Sequence, residues 1–223
     1  MKTTFKIFIG FLLFIATTSI LMAQNENRTN DLSKEEMEAF KERAKLKVDQ
    51  FNNYISFISK KYRPKTPKEQ DEIEETKDAY IEQACELFIG KGNDYYDADS
   101  NYCQAPQMET SSLNRAKNTI QLKKEPVSKY LVRMKGLKYD EVHVSASDAY
   151  FISDARKTKS DVNCDEYEAT LSYTQTFYGL RDGRVVYRDK TDKIIKIYIT
   201  RKVIDGRVRW EVLLGDIKVD ATE

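Results

Sequence analysis

Residues 166–177 read EYEATLSYTQTF, and this stretch decides the fold class. Every second position from Tyr167 to Phe177 is apolar except Gln175, and the positions between them are polar. Successive side chains of a strand point to opposite faces, so this alternation predicts a strand with one buried and one wet face. Such strands are typical of an antiparallel sheet that packs one face against helices.

The same period of two continues to the end of the chain. Asp182-Gly183 and Asp205-Gly206 are hairpin signals, because the favoured two-residue hairpin turn needs positive φ at both central residues. Between the turns runs a strand whose isoleucines share one face, namely Ile195, Ile197 and Ile199. A further strand is predicted over residues 142–152, and the polar residues 154–163 predict a loop after it.

The amino-terminal half has the period of a helix instead. Ser33 and Glu36 form a capping box, in which each side chain accepts a hydrogen bond from the backbone N–H of the other residue. Apolar residues three or four positions apart then continue as far as Tyr62. This spacing predicts a long amphipathic helix that ends before Pro64.

Two further helix starts follow along the chain. Residues 66–69 combine a threonine cap, a proline at the first helical position and a glutamate that closes the box, so they open a second helix that Gly90 ends. Pro126 opens a short third helix. Residues 91–107 are rich in Asn, Asp and Tyr and predict a loop, while residues 108–122 fit one or two short strands.

Helices followed by a meander predict an α+β fold. We expect two to three amino-terminal helices packed on one side of a strongly curved antiparallel sheet. No internal repeat or linker divides the sequence, so residues 33–223 are predicted to form a single domain.

Residues 1–23 have the features of a signal peptide. Two lysines precede an apolar run that ends in small residues, so cleavage is predicted before Gln24. The alternative is an uncleaved membrane anchor, but residues 7–23 are at the short limit of the roughly 20 apolar residues that span a bilayer. We predict export to the periplasm, the cell envelope or the medium, with residues 24–32 as a disordered leader.

The composition argues against several classes of function. The chain has 37 basic and 36 acidic residues in an interspersed order, so it lacks the basic patch of a nucleic-acid-binding protein. His143 is the only histidine, which argues against a His-ligated zinc site and against a Ser-His-Asp triad. We expect no cofactor and no metal, and contact with a membrane only through the signal peptide before its cleavage.

Three cysteines would enter an oxidising compartment if the chain is exported. Cys85 falls on the apolar face of the second predicted helix, where a thiol behaves as a small apolar side chain. Cys103 and Cys164 lie in polar surroundings. A disulfide between these two is one alternative, and free thiols are the other.

Six segments of the sequence carry a resemblance to a known family: Pro126–Leu131, Leu137–Tyr139, Gln175–Gly179, Asp182-Gly183, Tyr187–Thr191 and Trp210–Ile217. In the order and pattern of its elements, most of residues 34–220 resembles the nuclear transport factor 2-like superfamily, whose members have the cone fold, and in particular an exported bacterial branch of it. The resemblance implies a pocket between helices and sheet. Because the superfamily includes isomerases, dehydratases, ligand carriers and non-catalytic modules, it implies no particular activity.

Polar residues at apolar positions of the strands are the candidates for lining such a pocket. They are Asp148, Gln175, Asp189, Thr191, Arg201 and Asp216. A buried carboxylate has a raised pKa, as a general acid or base near neutral pH requires, so Asp148 with Tyr130, Tyr150 or Tyr173 is the candidate catalytic set. The structural alternative is that Asp189 and Asp216 cap turns or pair with basic residues, and that Gln175 satisfies a bulge.

The favoured interpretation is a non-catalytic exported module of the cell envelope that binds a small molecule or a protein partner. The first alternative is a cofactor-independent lyase or isomerase that uses Asp148 and a tyrosine. The second alternative is a structural subunit that forms a homodimer through the outer face of its sheet.

Overall fold

The computed structural model describes residues 32–97, 99–114, 119–161 and 164–222. Three α-helices are present in these ranges: α1 (Lys34–Ser59), α2 (Pro67–Cys85) and α3 (Val127–Met134). The eight strands are β1 (Tyr95–Tyr96), β2 (Tyr102–Cys103), β3 (Gln107–Asn114), β4 (Thr119–Pro126), β5 (Glu141–Asp161), β6 (Cys164–Arg181), β7 (Arg184–Ile204) and β8 (Arg207–Thr222). The predicted α+β class is confirmed.

Six strands form the main sheet in the order β4-β3-β8-β7-β6-β5. All neighbours are antiparallel except β3 and β8, which run parallel with Met108 opposite Ile217. The predicted antiparallel sheet is therefore confirmed in part, because the sheet is mostly antiparallel and one pair of strands is parallel. Strands β3 and β8 are distant in sequence, so no hairpin forces them to run in opposite directions.

The sheet is also not strongly curled, contrary to the prediction. Strong curvature requires bulges or kinks that recur in neighbouring strands. The central ladder between β6 and β7 has a register shift only between Gly179 and Leu180, whereas four shifts lie in the edge pair β5–β6. The register shifts are thus most numerous at one edge, and two more lie between β7 and β8.

Helix α1 lies across the inner face of the sheet. The ring of Phe40 on α1 packs against the ring of Trp210 on β8, with 4.5 Å between the ring centroids. The Ser56 hydroxyl of α1 accepts a hydrogen bond from the Val144 N–H of β5. The core combines the buried stripe of α1, buried apolar residues of α2 and α3, and the apolar inner positions of the sheet. The inner positions include Ala169, Leu171, Ile195, Ile197, Ile199, Val212 and Leu214.

The helix signals of the sequence are mostly confirmed. The Thr66 hydroxyl accepts a hydrogen bond from the Glu69 N–H at 3.2 Å, and α3 begins directly after Pro126. Helix α1 ends at Ser59, before the predicted Tyr62, where the Ser59 hydroxyl donates to the Ile55 carbonyl. The capping box is present as well, with both hydrogen bonds formed between Ser33 and Glu36.

Helix α2 ends at Cys85, before the predicted stop at Gly90. Gly90 instead lies in a short 3-10 turn with φ of 61°, a conformation that glycine adopts without strain. Residues 91–107 are mostly a loop, as predicted, and contain the small two-stranded sheet of β1 and β2.

The strand predictions succeed at the turns and fail along β5. Both Asp-Gly turns have positive φ at both residues and join β6 to β7 and β7 to β8. The loop predicted over residues 154–163 is wrong for its described part, because β5 continues to Asp161. Polar alternation on an exposed edge strand leaves no apolar signal, so the sequence does not reveal this extension. Residues 108–114 and 119–122 lie in the paired strands β3 and β4.

The described residues include all three cysteines but not the predicted signal peptide. Cys85 is buried, as predicted, and Cys103 carries a free thiol that donates to the Asn101 carbonyl, so it forms no disulfide with Cys164. The predicted signal peptide and nearly all of the leader lie outside the described residues, and export stays a prediction. Among the described helices, none is long and apolar enough to cross a bilayer.

Candidate functional site

A cavity of about 370 Å³ lies between α3, the β3–β4 hairpin and the inner face of β6 and β7. Strands β6 and β7 contribute four charged, amide or hydroxyl-bearing side chains, Gln175, Asp189, Thr191 and Lys193, together with the rings of Phe177 and Tyr187. Helix α3 contributes Tyr130, Arg133 and Met134, and the segment after α3 contributes Tyr139. The volume is within the range of small-molecule sites, which is roughly 300–1,000 Å³.

The sheet becomes polar here because of the sequence of β7. Inward positions run from Ile199 through Ile197 and Ile195 and then change to Lys193, Thr191 and Asp189. Strand β6 pairs in register, with Gln175 opposite Thr191 and Phe177 opposite Asp189. One end of the inner face is therefore an apolar core, and the other end is a polar wall under α3.

Lys193 is the least exposed charged residue of this wall, with 2% of its surface accessible. Its ammonium donates a hydrogen bond to the backbone carbonyl of Glu109 at 2.7 Å. Burial lowers the pKa of Lys193 to about 8, although the negative charges of Asp189 and Glu109 act in the opposite direction. At neutral pH the cavity thus contains a buried ammonium group.

A second polar layer lies behind the wall. The Gln175 amide donates to the Asn52 side-chain oxygen at 2.8 Å, which joins β6 to α1. The Asn52 amide nitrogen and the Tyr173 hydroxyl are buried without a hydrogen-bond partner. Burial raises the pKa of Tyr173 and of Tyr130, so both phenols stay protonated at neutral pH. Unpaired buried polar groups cost stability and mark a region shaped by more than core packing.

Three aromatic rings form the outer part of the cavity. Tyr139 stacks on Tyr187 at 5.8 Å, and Phe177 lies 6.2 Å and 5.9 Å from these two rings. Gly179 makes the arrangement possible, since a Cβ there would lie 2.6 Å from the Tyr139 ring. We call Tyr139, Phe177 and Tyr187 the aromatic wall.

Two rim cations share one carboxylate. The Glu125 side chain lies 2.8 Å from the ammonium of Lys123 and 2.6 Å from the guanidinium of Arg133. These three residues link β4 to α3 at the rim. Lys193 differs from the rim cations, because among the described residues no ion pair joins it to a carboxylate.

The structure brings four of the predicted residues together in the cavity, namely Gln175, Asp189, Thr191 and Tyr130. Within this group the Thr191 hydroxyl donates to the Asp189 carboxylate at 2.9 Å. Tyr173 is buried next to the cavity without lining it. A catalytic role for either tyrosine stays a prediction.

The other predicted pocket residues lie elsewhere. Asp148 is exposed, so its predicted inward orientation is wrong. It has a φ of 54° and lies at a register shift of β5. A bulge at such a shift reverses which side chains face inward. Arg201 lies 3.5 Å from the Asp165 carboxylate and beside the Trp210 ring. Asp216 accepts a hydrogen bond from the Gln107 N–H at 2.8 Å. Neither Arg201 nor Asp216 lines the cavity.

Sequence reasoning missed Lys193 and Asn52 as site residues. Lys193 shares its face with Thr191 and Ile195, so the alternation of β7 contained the signal. Asn52 sits on the apolar stripe of α1 next to Phe51, and an amide there is a signal of the same kind.

Two other surface grooves are present among the described residues. One of about 790 Å³ lies between α1 and the β7–β8 hairpin around Trp210, and one of about 420 Å³ lies around Tyr62 and Tyr80. The groove around Tyr62 also contains a buried lysine, Lys77, whose ammonium lies 5.8 Å from the centre of the Tyr62 ring. The cavity under α3 differs in that its buried lysine, Lys193, donates to a backbone carbonyl and lies beside a polar wall of the sheet. The described residues contain no cluster of three or more His, Cys, Asp or Glu side chains able to hold a metal ion.

Comparison with protein-family models, with curated proteins and with solved structures found no match to this chain. The geometry of the cavity is therefore the basis for the functional argument.

Proposed function

We propose that this protein is an exported, non-catalytic module of the cell envelope that binds a small molecule in the cavity under α3. One observation carries the proposal: the Lys193 ammonium lines a cavity of about 370 Å³ although only 2% of the residue is exposed. Burial of a charge without a paired carboxylate is costly, and an apolar residue at this position would avoid the cost. A binding role explains why a cation is present there.

Binding is favoured over the lyase or isomerase alternative by the carboxylates. Asp148, the base of that alternative, is exposed on β5 and is not part of the cavity. Asp189 does line the cavity, but its carboxylate accepts the hydroxyl hydrogen bond of Thr191. A general base must lie within hydrogen-bond reach of the proton that it removes. Asp148 therefore cannot act as the base for a molecule bound in this cavity.

Export and a distant relationship to the cone-fold superfamily belong to the same proposal. Export is supported by residues 1–23, in which two lysines are followed by an apolar run and then by small residues. The relationship is supported by helices that precede a sheet and by a cavity between the sheet and a helix. The weak curl of the sheet departs from the strongly bent form of that superfamily.

Native mass spectrometry of the protein purified from its own host, without denaturation, tests the proposed function. We expect a reproducible small-molecule adduct. A second copy of the chain or a co-purified protein, without an adduct, would instead support the interaction role.

Two glycine variants connect the adduct to the cavity. In Gly179→Ala, the new Cβ would overlap the Tyr139 ring at 2.6 Å, so the ring must leave its position in the aromatic wall and the adduct should be reduced or lost. Gly136→Ala is the matched control, because the nearest atom to its Cβ is the Arg133 carbonyl oxygen at 3.7 Å. An adduct that is equally abundant in wild type and Gly179→Ala would place the ligand outside this cavity.

A further inference from the structure

We propose that the ligand of this cavity is a small organic anion, with a carboxylate that faces Lys193 and a flat apolar part that contacts the aromatic wall. The inference rests on the proposed small-molecule function and specifies its chemical class. It uses three features: the unpaired cation, the position of the rings and the state of the neighbouring charges.

The first feature is the unused hydrogen-bonding capacity of Lys193. An ammonium group has three N–H donors, and one of them reaches the Glu109 carbonyl oxygen. No other hydrogen bond of Lys193 is present among the described residues. A carboxylate oxygen can accept from a remaining donor, and it then adds a directly hydrogen-bonded negative charge to the more distant charges of Asp189 and Glu109.

The second feature is the distance between the cation and the rings. Lys193 is opposite Tyr173 in the register, and Phe177 follows Tyr173 by four residues on β6. At about 3.3 Å per residue this corresponds to about 13 Å along the strand. This length accommodates a ligand the size of one or two fused rings with a carboxylate at one end.

The third feature is the charge of the neighbours. Lys123 and Arg133 at the rim are paired with Glu125, so they contribute less to the attraction of a further anion. Asp189 is engaged by the Thr191 hydroxyl and forms no ion pair with Lys193 among the described residues. The ammonium of Lys193 is thus the cation that gains most from a bound anion.

Isothermal titration calorimetry with 2-naphthoate and its neutral analogue 2-naphthamide tests the inference. The protein is purified from its own host and dialysed before titration at neutral pH. We expect 2-naphthoate to bind at least about tenfold more tightly, as a hydrogen bond between charged groups implies. In Lys193→Met this preference should disappear, while the affinity for 2-naphthamide stays within about threefold of wild type.

Two variants serve as controls. Lys218→Met removes an exposed lysine of β8 and should keep the full preference for 2-naphthoate. Lys193→Gln retains a donor for the Glu109 carbonyl, and it replaces Lys193→Met if that variant does not fold.

The outcomes separate the two proposals. Equal affinity of the wild type for both probes, or a preference that persists in both Lys193 variants, would overturn the anion assignment and leave the small-molecule function intact. Failure of both probes to bind the wild type would overturn the assignment of a flat apolar anion, whereas the small-molecule function itself fails only if the native mass spectrum shows no adduct.

Discussion

Replacing Lys193 by methionine should change how the stability of the protein depends on pH. In the folded protein, burial lowers the pKa of Lys193 from 10.5 to about 8, whereas the unfolded chain keeps the ordinary value. Below about pH 8 the lysine is charged in both states, so the cost of burying the ammonium is fully present. As pH rises from about 8 toward 10.5, the unfolded state binds more protons than the folded state, and the wild type gains stability.

The size of the effect follows from the two pKa values. A difference of 10.5 against about 8 corresponds to about 3 kcal/mol of free energy at 25 °C. Between about pH 7 and pH 9.5 the linkage relation releases about 2 kcal/mol of this cost. The methionine variant lacks the titrating group, so the difference in unfolding free energy between wild type and variant should shift by about 2 kcal/mol in favour of wild type over this range.

Urea unfolding at several pH values, followed by the fluorescence of Trp210, measures the shift. Trp210 is the only tryptophan and packs on Phe40, so its emission reports the loss of the core. The charged and titratable groups that share the surroundings of Lys193 are present in both proteins. They are Glu109 on β3, Lys123 on β4, Tyr130 and Arg133 on α3, and Asp189 on β7.

The exposed lysine of β8 supplies the control for this experiment. Lys218→Met should show no pH-dependent difference from wild type. A difference between wild type and Lys193→Met that stays constant from pH 7 to pH 9.5 would refute the reasoning, because it would mean that the ammonium of Lys193 is well solvated or firmly paired.

Three single variants and one double variant test buried and half-buried polar side chains by urea unfolding at neutral pH. Gln175→Leu should destabilise the fold by about 1–3 kcal/mol, because it leaves the Asn52 oxygen buried and unpaired. Adding Asn52→Leu should recover part of this loss. If the free-energy changes of the two single variants simply add in the double variant, the two side chains are not paired. Tyr173→Phe should change stability by less than about 1 kcal/mol, or increase it, since its hydroxyl has no partner. Asp216→Ala should cost about 1–2 kcal/mol, because it removes the acceptor of the Gln107 N–H; a neutral result would show that this contact is dispensable.

Local signals predicted the elements that depend on a few neighbouring residues. The capping threonine at Thr66 and the Asp-Gly turns act through contacts within four residues, so the sequence contains all of the information. The parallel pairing of β3 with β8 joins segments that are far apart in the chain, and no local pattern encodes it.

The site was predictable in part for the same reason. Alternation along β7 identifies the inward face that holds Thr191 and Lys193, but it also includes Arg201, which lies beside Trp210 at the other end of the strand. Which end of the face lies under α3 is a property of tertiary packing. The orientation of Asp148 failed at a bulge, where one extra residue reverses every later assignment on the strand.

A crystal structure of the protein purified from its own host, without a denaturing step, tests the central claim most directly. We expect density for a small molecule between α3 and the sheet, with a carboxylate oxygen within hydrogen-bond distance of the Lys193 ammonium and a flat group against the aromatic wall. A cavity that contains only water, or that side chains of α3 fill, would contradict it.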